Sequence, residues 1–254
     1  INIWLPSYFC NESLEPLKKE KVNILFYPIL KDGSPDIQTC KKQISSQNTP
    51  DIFIAVHFFG REMNFLESAD FAKSCNAWFV EDAAHVLKQF GNIGKYSHFI
   101  FYSPHKILPI ADGSILVVNK GNFKEDFKHL SEKFISLYQN LIKEDKKINY
   151  HSTIWLIKRI LQNLGFRKKV NNQLDIFDDE VKRNPTTLNS EISPLSRKLL
   201  MLENNLEAEA EIRKRNYKFW RKFFIDNNFS GQEIFSENHF ACPYLFGITL
   251  KDKK

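Results

Sequence analysis

The sequence contains few cysteines and no long apolar run. Only four of its 254 residues are cysteine (Cys10, Cys40, Cys75 and Cys242), and no two of them form a CxxC pair. This spacing indicates neither a zinc site nor a disulfide framework, so we expect reduced thiols and no metal centre. No apolar run approaches the roughly 20 residues that a membrane-spanning helix needs, and the first residues lack the basic leader of a secretory signal. The sequence therefore predicts a cytoplasmic protein without a membrane partner.

Several short motifs with a known mechanism are also missing. The chain has no G-x-S-x-G, no G-x-x-x-x-G-K-[ST] and no G-x-G-x-x-G. Their absence removes support for an α/β-hydrolase, a P-loop enzyme or a dinucleotide-binding protein. The formal net charge is +6, but acidic residues lie among the basic ones, as in residues 206 to 222. Such mixing is typical of a solvated helix face, so we expect no nucleic-acid partner.

The first half of the chain has the pattern of an α/β protein. With 43% hydrophobic and 26% charged residues, the composition is that of a globular protein. Residues 11–20 are predicted to form a short helix or a loop, with Asn11 as a possible cap, and residues 64–75 are predicted to form a helix. Apolar runs typical of strands occur at residues 1–6, 22–29, 51–59, 77–81, 97–103 and 114–118. Continuous apolar strands separated by helices predict a mainly parallel sheet with helices on both faces.

The pattern changes after residue 122. Residues 123 to 143 and 151 to 164 show helical spacing of apolar residues, and residues 195 to 225 are predicted to form one long amphipathic helix. Between them, residues 184–196 contain two prolines and are predicted to be an irregular loop near a site. Residues 239–250 are predicted to form a strand.

These patterns divide the chain into three regions. We predict an α/β core at residues 1–122, a helical region at residues 123–235 that includes the long helix, and the first strand of an incomplete C-terminal domain at residues 236–254.

Polar residues follow two neighbouring apolar runs. Asp82 comes after "AWFVE" and Lys106 after "FIFYS", where open α/β sheets place their ligand-binding groups. An uncharged lysine amine can form a Schiff base with a carbonyl, and a carboxylate can hold a protonated pyridine nitrogen, as pyridoxal phosphate chemistry requires. His85 and Ser103 could support these groups. These residues also have simpler explanations: Asp82 as a helix cap, Lys106 as an exposed lysine and His85 as a core histidine. For His57, a strand-end histidine with a backbone partner is favoured over a base.

The stretch that contains these residues resembles the DegT/DnrJ/EryC1/StrS family of pyridoxal phosphate enzymes, whose best-known members are sugar aminotransferases. That family has an E-D-A-A-[QH] segment, a glycine-containing turn, a serine-bearing strand, a Schiff-base lysine and a glycine-rich turn. Here these correspond to residues 81–85, residues 91–94, Ser103, Lys106 and residues 112–114. The flanking segments "IWLPSYFC", "PDIFIAVHFFG" and "ISPLSRKLLMLENNLEAEAEIRKRNYKFW" are similar to further parts of the family, so the resemblance covers most of residues 3 to 225.

The resemblance implies a fold type I aminotransferase. Such an enzyme has a large domain around a mainly parallel, seven-stranded sheet, uses pyridoxal 5'-phosphate, and forms a homodimer with shared active sites. Its implied partners are an amino donor such as glutamate and a keto sugar nucleotide, in amino-sugar or surface polysaccharide biosynthesis. Two alternatives stay open: a pyridoxal phosphate-dependent sugar dehydratase, although the family's dehydratases carry histidine in place of the lysine, and a degenerate member that acts as a binding protein.

The resemblance also implies roles for individual residues. Lys106 corresponds to the Schiff-base and proton-transfer residue, and Asp82 to the partner of the pyridine nitrogen. His85 corresponds to a residue beside the cofactor, and Ser103 to a contact of its phosphate. Phe9 or Tyr8 lies where the family often has an aromatic ring stacked on the pyridine, and Cys10 aligns equally well.

The sequence departs from the family in two ways. In many members the lysine is the fifth residue after the serine (S-x-x-x-x-K), whereas Lys106 is the third residue after Ser103. The sequence also resembles a chain truncated at both ends, because the family has an earlier segment whose helix N-terminus binds the phosphate and a longer C-terminal domain. We therefore expect weak cofactor binding by these 254 residues alone.

Overall fold

A computed structural model describes residues 1–122, 128–141, 146–165, 191–202, 205–234 and 242–250. The eight described strands are β1 (Asn2–Pro6), β2 (Asn23–Tyr27), β3 (Ile52–Val56), β4 (Trp78–Asp82), β5 (Phe99–Tyr102), β6 (Ile115–Val118), β7 (Gly231–Glu233) and β8 (Ile248–Leu250). The seven described helices are α1 (Asn11–Lys19), α2 (Ile37–Gln43), α3 (Leu66–Ser74), α4 (Lys128–Leu141), α5 (Lys146–Asn163), α6 (Pro194–Leu202) and α7 (Leu206–Asp226).

Six strands form one sheet in the order β2-β1-β3-β4-β5-β6. The first five are parallel to one another, and β6 pairs with β5 in the antiparallel direction. The described sheet thus has six of the seven strands that the resemblance implies. Its mainly parallel character confirms the α/β prediction. Parallel strands have their carboxyl ends on the same side, so the residues that follow β1, β3, β4 and β5 lie at one edge.

Helices cover both faces of this sheet. On one face, Trp4, Phe53 and Phe79 of the strands pack with Phe71 of α3 and with residues of α2. On the other face, Ile3 and Leu5 pack against Leu14 of α1. Alternating residues of a strand point to opposite faces, and each set is apolar, so the strands read as continuous apolar runs. Truncation of a ring such as Phe53, which is 0% exposed, to alanine would cost about 3–5 kcal/mol.

Two helix predictions were wrong in detail. Asn11 does not cap α1: it is the first helical residue, and the preceding Cys10 makes no side-chain cap hydrogen bond. The predicted single helix over residues 195 to 225 is two helices, α6 and α7. Asn205 begins the second of them, because its side chain accepts a hydrogen bond from the amide of Ala208 at 3.1 Å.

The remaining predicted elements agree to different extents. Helix α2 was not predicted; it begins where Asp36 accepts hydrogen bonds from the amide and the hydroxyl of Thr39 at 3.0 and 2.7 Å. Within the described part of the strand predicted at residues 239–250, namely residues 242–250, the strand is β8, which pairs with β7. Most of the predicted loop at residues 184–196 lies outside the described residues.

The chain divides into two compact units. The first comprises residues 1–107, 114–131 and 205–254, and the second comprises residues 108–113 and 132–204. In the second unit, the carboxylate of Asp112 accepts hydrogen bonds from the Ser152 hydroxyl at 2.6 Å and from the Ser193 amide at 2.9 Å. Ser193 in turn caps α6, since its hydroxyl accepts from the Ser196 amide. The predicted boundaries at residues 122 and 235 stay predictions.

None of the described helices has an apolar stretch of the length that crossing a membrane requires.

Candidate active site

The carboxyl ends of β1, β3, β4 and β5 bring polar and aromatic residues to one edge of the sheet. Tyr8 follows β1, Phe59 follows β3, Asp82 ends β4, and Lys106 follows β5. This edge lies outside the carboxyl ends of parallel strands, where α/β proteins bind their ligands.

Asp82 is held at the end of β4 by two hydrogen bonds from backbone amides. Its backbone carbonyl accepts from the His57 amide at 2.9 Å, and its Oδ1 accepts from the Ala84 amide at 2.9 Å. Burial raises the pKa of Asp82 above its usual value, although the Ala84 hydrogen bond and the positive charge of Lys106 act in the opposite direction. A cationic partner would stabilise the charged form of this carboxylate.

Lys106 ends a 3-10 turn formed by Pro104–Lys106. The amide of Lys106 donates to the carbonyl of Ser103 at 3.0 Å, which fixes the turn. Arg213 of α7 donates to the carbonyl of Ile107 at 2.9 Å and so supports the next residue. The Ser103 side chain does not cap this turn, and the Lys106 amine lies 3.5 Å from Nε2 of His85.

His85 lies between polar and aromatic contacts. Its Nδ1 accepts a hydrogen bond from the amide of Phe59 at 3.3 Å. Its ring is almost parallel to that of Tyr244, with centroids 4.5 Å apart and a 6° angle, and to that of Phe59, at 6.0 Å and 10°. Burial, together with the charge of Lys106, lowers the pKa of His85 to about 4. The imidazole is therefore uncharged at neutral pH.

A backbone turn after β3 joins this histidine to a distant segment. Phe59 adopts a left-handed conformation with φ of 60°, which is uncommon for a bulky residue, and Gly60 follows with φ of 82°. The Phe59 carbonyl accepts from the Tyr244 amide at 2.9 Å, and the Gly60 carbonyl accepts from the Cys242 amide at 3.3 Å. A Cβ on Gly60 would overlap the carbonyl oxygen of Cys242. The close approach of these backbones thus requires glycine.

A buried pair lies next to the site. Glu81 and His57 are 0% and 1% exposed, and Nε2 of His57 lies 2.8 Å from Oε2 of Glu81. The other ring nitrogen accepts from the Met63 amide at 3.1 Å, so Nε2 carries the hydrogen and donates it to the carboxylate. Oε2 also accepts from the Gly94 amide at 2.6 Å. His57 therefore has the backbone partner that the sequence favours, and the pair links β3, β4 and the turn after β4.

The structure distinguishes between the two aromatic candidates after β1. Tyr8 is 60% exposed and lies beside the rings of Phe58 and Phe59, with centroids 5.6 and 6.3 Å away. Phe9 packs instead against the apolar cluster around Leu14. Tyr8 is the better placed of the two for a role at this edge, while Cys10 precedes α1.

A cavity of about 320 Å³ lies elsewhere in the molecule. Its lining includes Trp78, which begins β4, and His98, which precedes β5, together with Tyr96 and Lys95. These residues lie at the amino ends of the strands. The cavity is therefore at the opposite edge of the sheet from Lys106.

The structure brings Lys106 and His85 into contact and places Asp82 within the influence of the Lys106 charge. Sequence reasoning missed Phe59 and Tyr244. The left-handed turn at Phe59 has no signal in residue type other than the glycine that follows it. Tyr244 lies far along the chain from His85, and no spacing pattern can show that they meet.

Residues 28–172 match the DegT/DnrJ/EryC1/StrS aminotransferase family. This match covers more than half of the chain and includes the segment from Asp82 to Lys106. The chain belongs to this family. A comparison with curated proteins finds none that matches the sequence.

Solved structures of this family's type have the same fold. The chain is similar to Helicobacter pylori PseC, an aminotransferase involved in pseudoaminic acid biosynthesis, with a TM-score of 0.65 and 15% identity over 98% of this chain and 58% of that one. It is similar to the E. coli GDP-4-keto-6-deoxy-D-mannose-3-dehydratase with bound hydrated PLP, with a TM-score of 0.61 and 17% identity. A DegT DnrJ EryC1 StrS aminotransferase from Brucella abortus has a TM-score of 0.61 and 15% identity.

The last two matches each cover 99% of this chain and 59% of the solved chain. The chain thus spans about three fifths of the length of these structures. The shared fold is the fold type I architecture of pyridoxal phosphate enzymes.

Proposed function

We propose that this chain provides the cofactor-binding core of a pyridoxal phosphate-dependent aminotransferase. The enzyme transfers an amino group from a donor such as glutamate to a keto sugar nucleotide, in amino-sugar or surface polysaccharide biosynthesis. The observation that carries this proposal is the grouping of Lys106, His85 and Asp82 at the ends of the adjacent strands β4 and β5.

The residues at this edge suit the chemical groups of pyridoxal phosphate. When bound, this cofactor supplies an aldehyde that reacts with amines and a ring that accepts electrons. Lys106 offers the amine, and Asp82 offers a half-buried carboxylate for the ring nitrogen. Because burial raises the pKa of Asp82, a cationic partner would restore the charged carboxylate. Ser103 offers a hydroxyl for the phosphate, and Tyr8 offers an exposed ring.

The proton-transfer step belongs to Lys106. A free lysine amine acts as a general base when it removes a proton from the α-carbon of the amino donor, and the resulting ammonium would act as the acid that delivers this proton to the C4′ carbon of the cofactor. The 3-10 turn holds the lysine at the end of β5, and the Arg213 hydrogen bond to Ile107 anchors the turn from α7. The amine therefore starts from a fixed backbone position.

The presence of Lys106 favours transamination over dehydration. Transamination needs a group that takes a proton from the substrate α-carbon and delivers it to the C4′ carbon of the cofactor, and a lysine amine can act as both the base and the acid. The similarity to a dehydratase is a similarity of fold, which leaves the reaction to the residues of the site.

An isotope experiment separates the candidate functions. The protein, with pyridoxal phosphate at a concentration that saturates its site, would receive a keto sugar nucleotide and glutamate labelled with nitrogen-15. An aminotransferase gives a labelled amino sugar and 2-oxoglutarate in equal amounts, and Lys106→Ala abolishes both. Loss of a sugar oxygen without label would instead identify a dehydratase, and no turnover with retained sugar binding would identify a binding protein.

The attachment of the cofactor can be tested separately. Borohydride reduction followed by peptide mass spectrometry should find the adduct on Lys106. Lys95→Arg is the matched control, because Lys95 lies at the other edge of the sheet; it should leave the adduct unchanged. An adduct spread equally over other lysines would contradict the assignment.

We also propose a cytoplasmic homodimer, as in the family that the chain belongs to. Light scattering at several protein concentrations would measure the oligomeric state, and a monomer at all concentrations would contradict the proposal.

A further inference from the structure

We infer that Phe59 and Tyr244 are positioning residues that hold His85 with its ring hydrogen on Nε2, directed at the amine nitrogen of Lys106. Neither residue belongs to the sequence motif that contains the lysine. Both reach His85 from outside that motif, Phe59 through its backbone amide and Tyr244 through its ring.

The amide of Phe59 determines which ring nitrogen carries the hydrogen. An uncharged imidazole has one N–H and one acceptor nitrogen, and their assignment follows from their partners. Nδ1 of His85 faces the N–H of Phe59 at 3.3 Å, so Nδ1 must be the acceptor. A hydrogen on Nδ1 would place two donors against each other. The hydrogen therefore lies on Nε2.

Nε2 is also the nitrogen that faces Lys106, at 3.5 Å. An N–H can form a hydrogen bond with the amine only through a lone pair on Nζ. An ammonium group has three hydrogens and no lone pair, so it cannot accept this bond. The uncharged form of the amine, which is the form that attacks a carbonyl, can accept this bond. The use of this contact in catalysis rests on the proposed function, but the contact itself does not.

Tyr244 fixes the orientation of the imidazole plane. The two rings are nearly parallel at 4.5 Å, and an imidazole that rotates about its Cβ–Cγ bond would lose this stacking. The Tyr244 amide donates to the Phe59 carbonyl at 2.9 Å, so the turn that holds Nδ1 also anchors the stacked ring. One backbone turn therefore sets both the tautomer and the plane.

Nitrogen-15 spectroscopy of labelled histidine tests this inference on the full chain without any cofactor. His85 is assigned as the signal that His85→Gln removes from those of the seven histidines. We expect a hydrogen on Nε2 and a bare Nδ1 near neutral pH. A hydrogen on Nδ1, or rapid averaging of both tautomers, would overturn the inference.

The roles of the ring and of the amine are tested by exchange of the Nε2 hydrogen with solvent. Tyr244→Ala and Lys106→Met should each accelerate this exchange at least about tenfold, and Tyr244→Phe should keep it within about twofold. Phe246→Ala is the matched control, because Phe246 lies in the same segment but packs on Tyr217 and Phe224. Equal acceleration in Phe246→Ala, or none in Tyr244→Ala, would show that the Tyr244 ring does not position His85.

These outcomes are independent of the proposed function. If the tautomer is as inferred but no amino sugar forms, the positioning is right and the reaction is wrong. If amino sugar forms and the hydrogen lies on Nδ1, the reaction is right and the positioning of His85 is wrong.

Discussion

At the scale of single residues, the turn of Phe59 and Gly60 is the most demanding part of the site. Both residues have positive φ, and a non-glycine residue pays a conformational cost there. The Phe59 backbone uses both of its polar groups, since the amide holds His85 and the carbonyl holds Tyr244. The contacts of the turn thus compensate for its strained backbone.

Gly60→Ala should destabilise the protein by at least about 2 kcal/mol. The new Cβ would overlap the Cys242 carbonyl oxygen, and alanine is disfavoured at φ of 82°. Gly121→Ala is the matched control, because a Cβ added there would meet no atom within 4 Å and the φ of Gly121 is not in the left-handed region. Urea unfolding measures both variants. A similar free energy of unfolding for the two would contradict the close approach of residues 60 and 242.

The residues of the site differ in how far the sequence could predict them. Asp82 and Lys106 follow apolar runs, and the parallel sheet brings the ends of such runs together, so their proximity follows from local pattern. The stack on His85 depends on where residues 242–246 pack, which is decided by tertiary structure. The choice between Tyr8 and Phe9 likewise needed the packing, because adjacent residues of an extended chain point in opposite directions.

At the scale of elements, the helix starts show which polar residues act as caps. Asp36 accepts two hydrogen bonds from Thr39 at the start of α2. Asn11 lies inside α1, which begins without a side-chain cap. Residue type alone favours both as caps, but only the side chain of the residue before the first turn can reach the free amides.

Asp36→Ala should lower the free energy of unfolding by about 1 kcal/mol, and Asn11→Ala should change it by less than about 0.5 kcal/mol. Asp36 directly precedes α2 and Asn11 is the first residue of α1. Both helices are short and pack on the sheet, so the two variants form a matched pair. Thermal unfolding followed by circular dichroism measures the difference. A larger loss in Asn11→Ala than in Asp36→Ala would contradict the assigned caps.

The elements themselves were predicted well where apolar runs are continuous, as in all six strands of the main sheet. The break between α6 and α7 was missed, although its signal was present. Asn205, followed by acidic residues in the first turn of α7, is a favourable helix start. The helical spacing of charged residues on both sides concealed it.

At the scale of the whole molecule, stability depends on pH through groups that the fold keeps uncharged. Burial lowers the pKa of His85 to about 4 and also lowers that of His98. The unfolded chain, in which histidine has its ordinary pKa of about 6.5, binds more protons between these values. The contribution of the uncharged His85 to the free energy of unfolding is therefore fully present above about pH 6.5, and it is lost as the pH is lowered toward about 4. The raised pKa of Asp82 acts in the opposite direction.

The comparison of wild type with His85→Gln isolates one of these groups. Between about pH 7 and about pH 5, the wild-type free energy of unfolding should fall by about 1–2 kcal/mol more than that of the variant. Urea titrations at each pH measure this difference, and contributions from His98 and the carboxylates cancel. Parallel pH curves for the two proteins would show that His85 is not kept uncharged by the fold.

The dispersed origin of the site also bears on how the chain folds during synthesis. The ribosome synthesises the residues of the site in the order Tyr8, Phe59, His85, Lys106 and Tyr244. Tyr244 is made more than 100 residues after Lys106. The parallel strands require non-local pairing, which forms slowly compared with local helices. The ring stack on His85 therefore has to form after the strands that carry the lysine have already been made. Acquisition of a fixed His85 environment should be among the last events of folding, and a nascent chain that lacks residues 242–246 would present Lys106 without it.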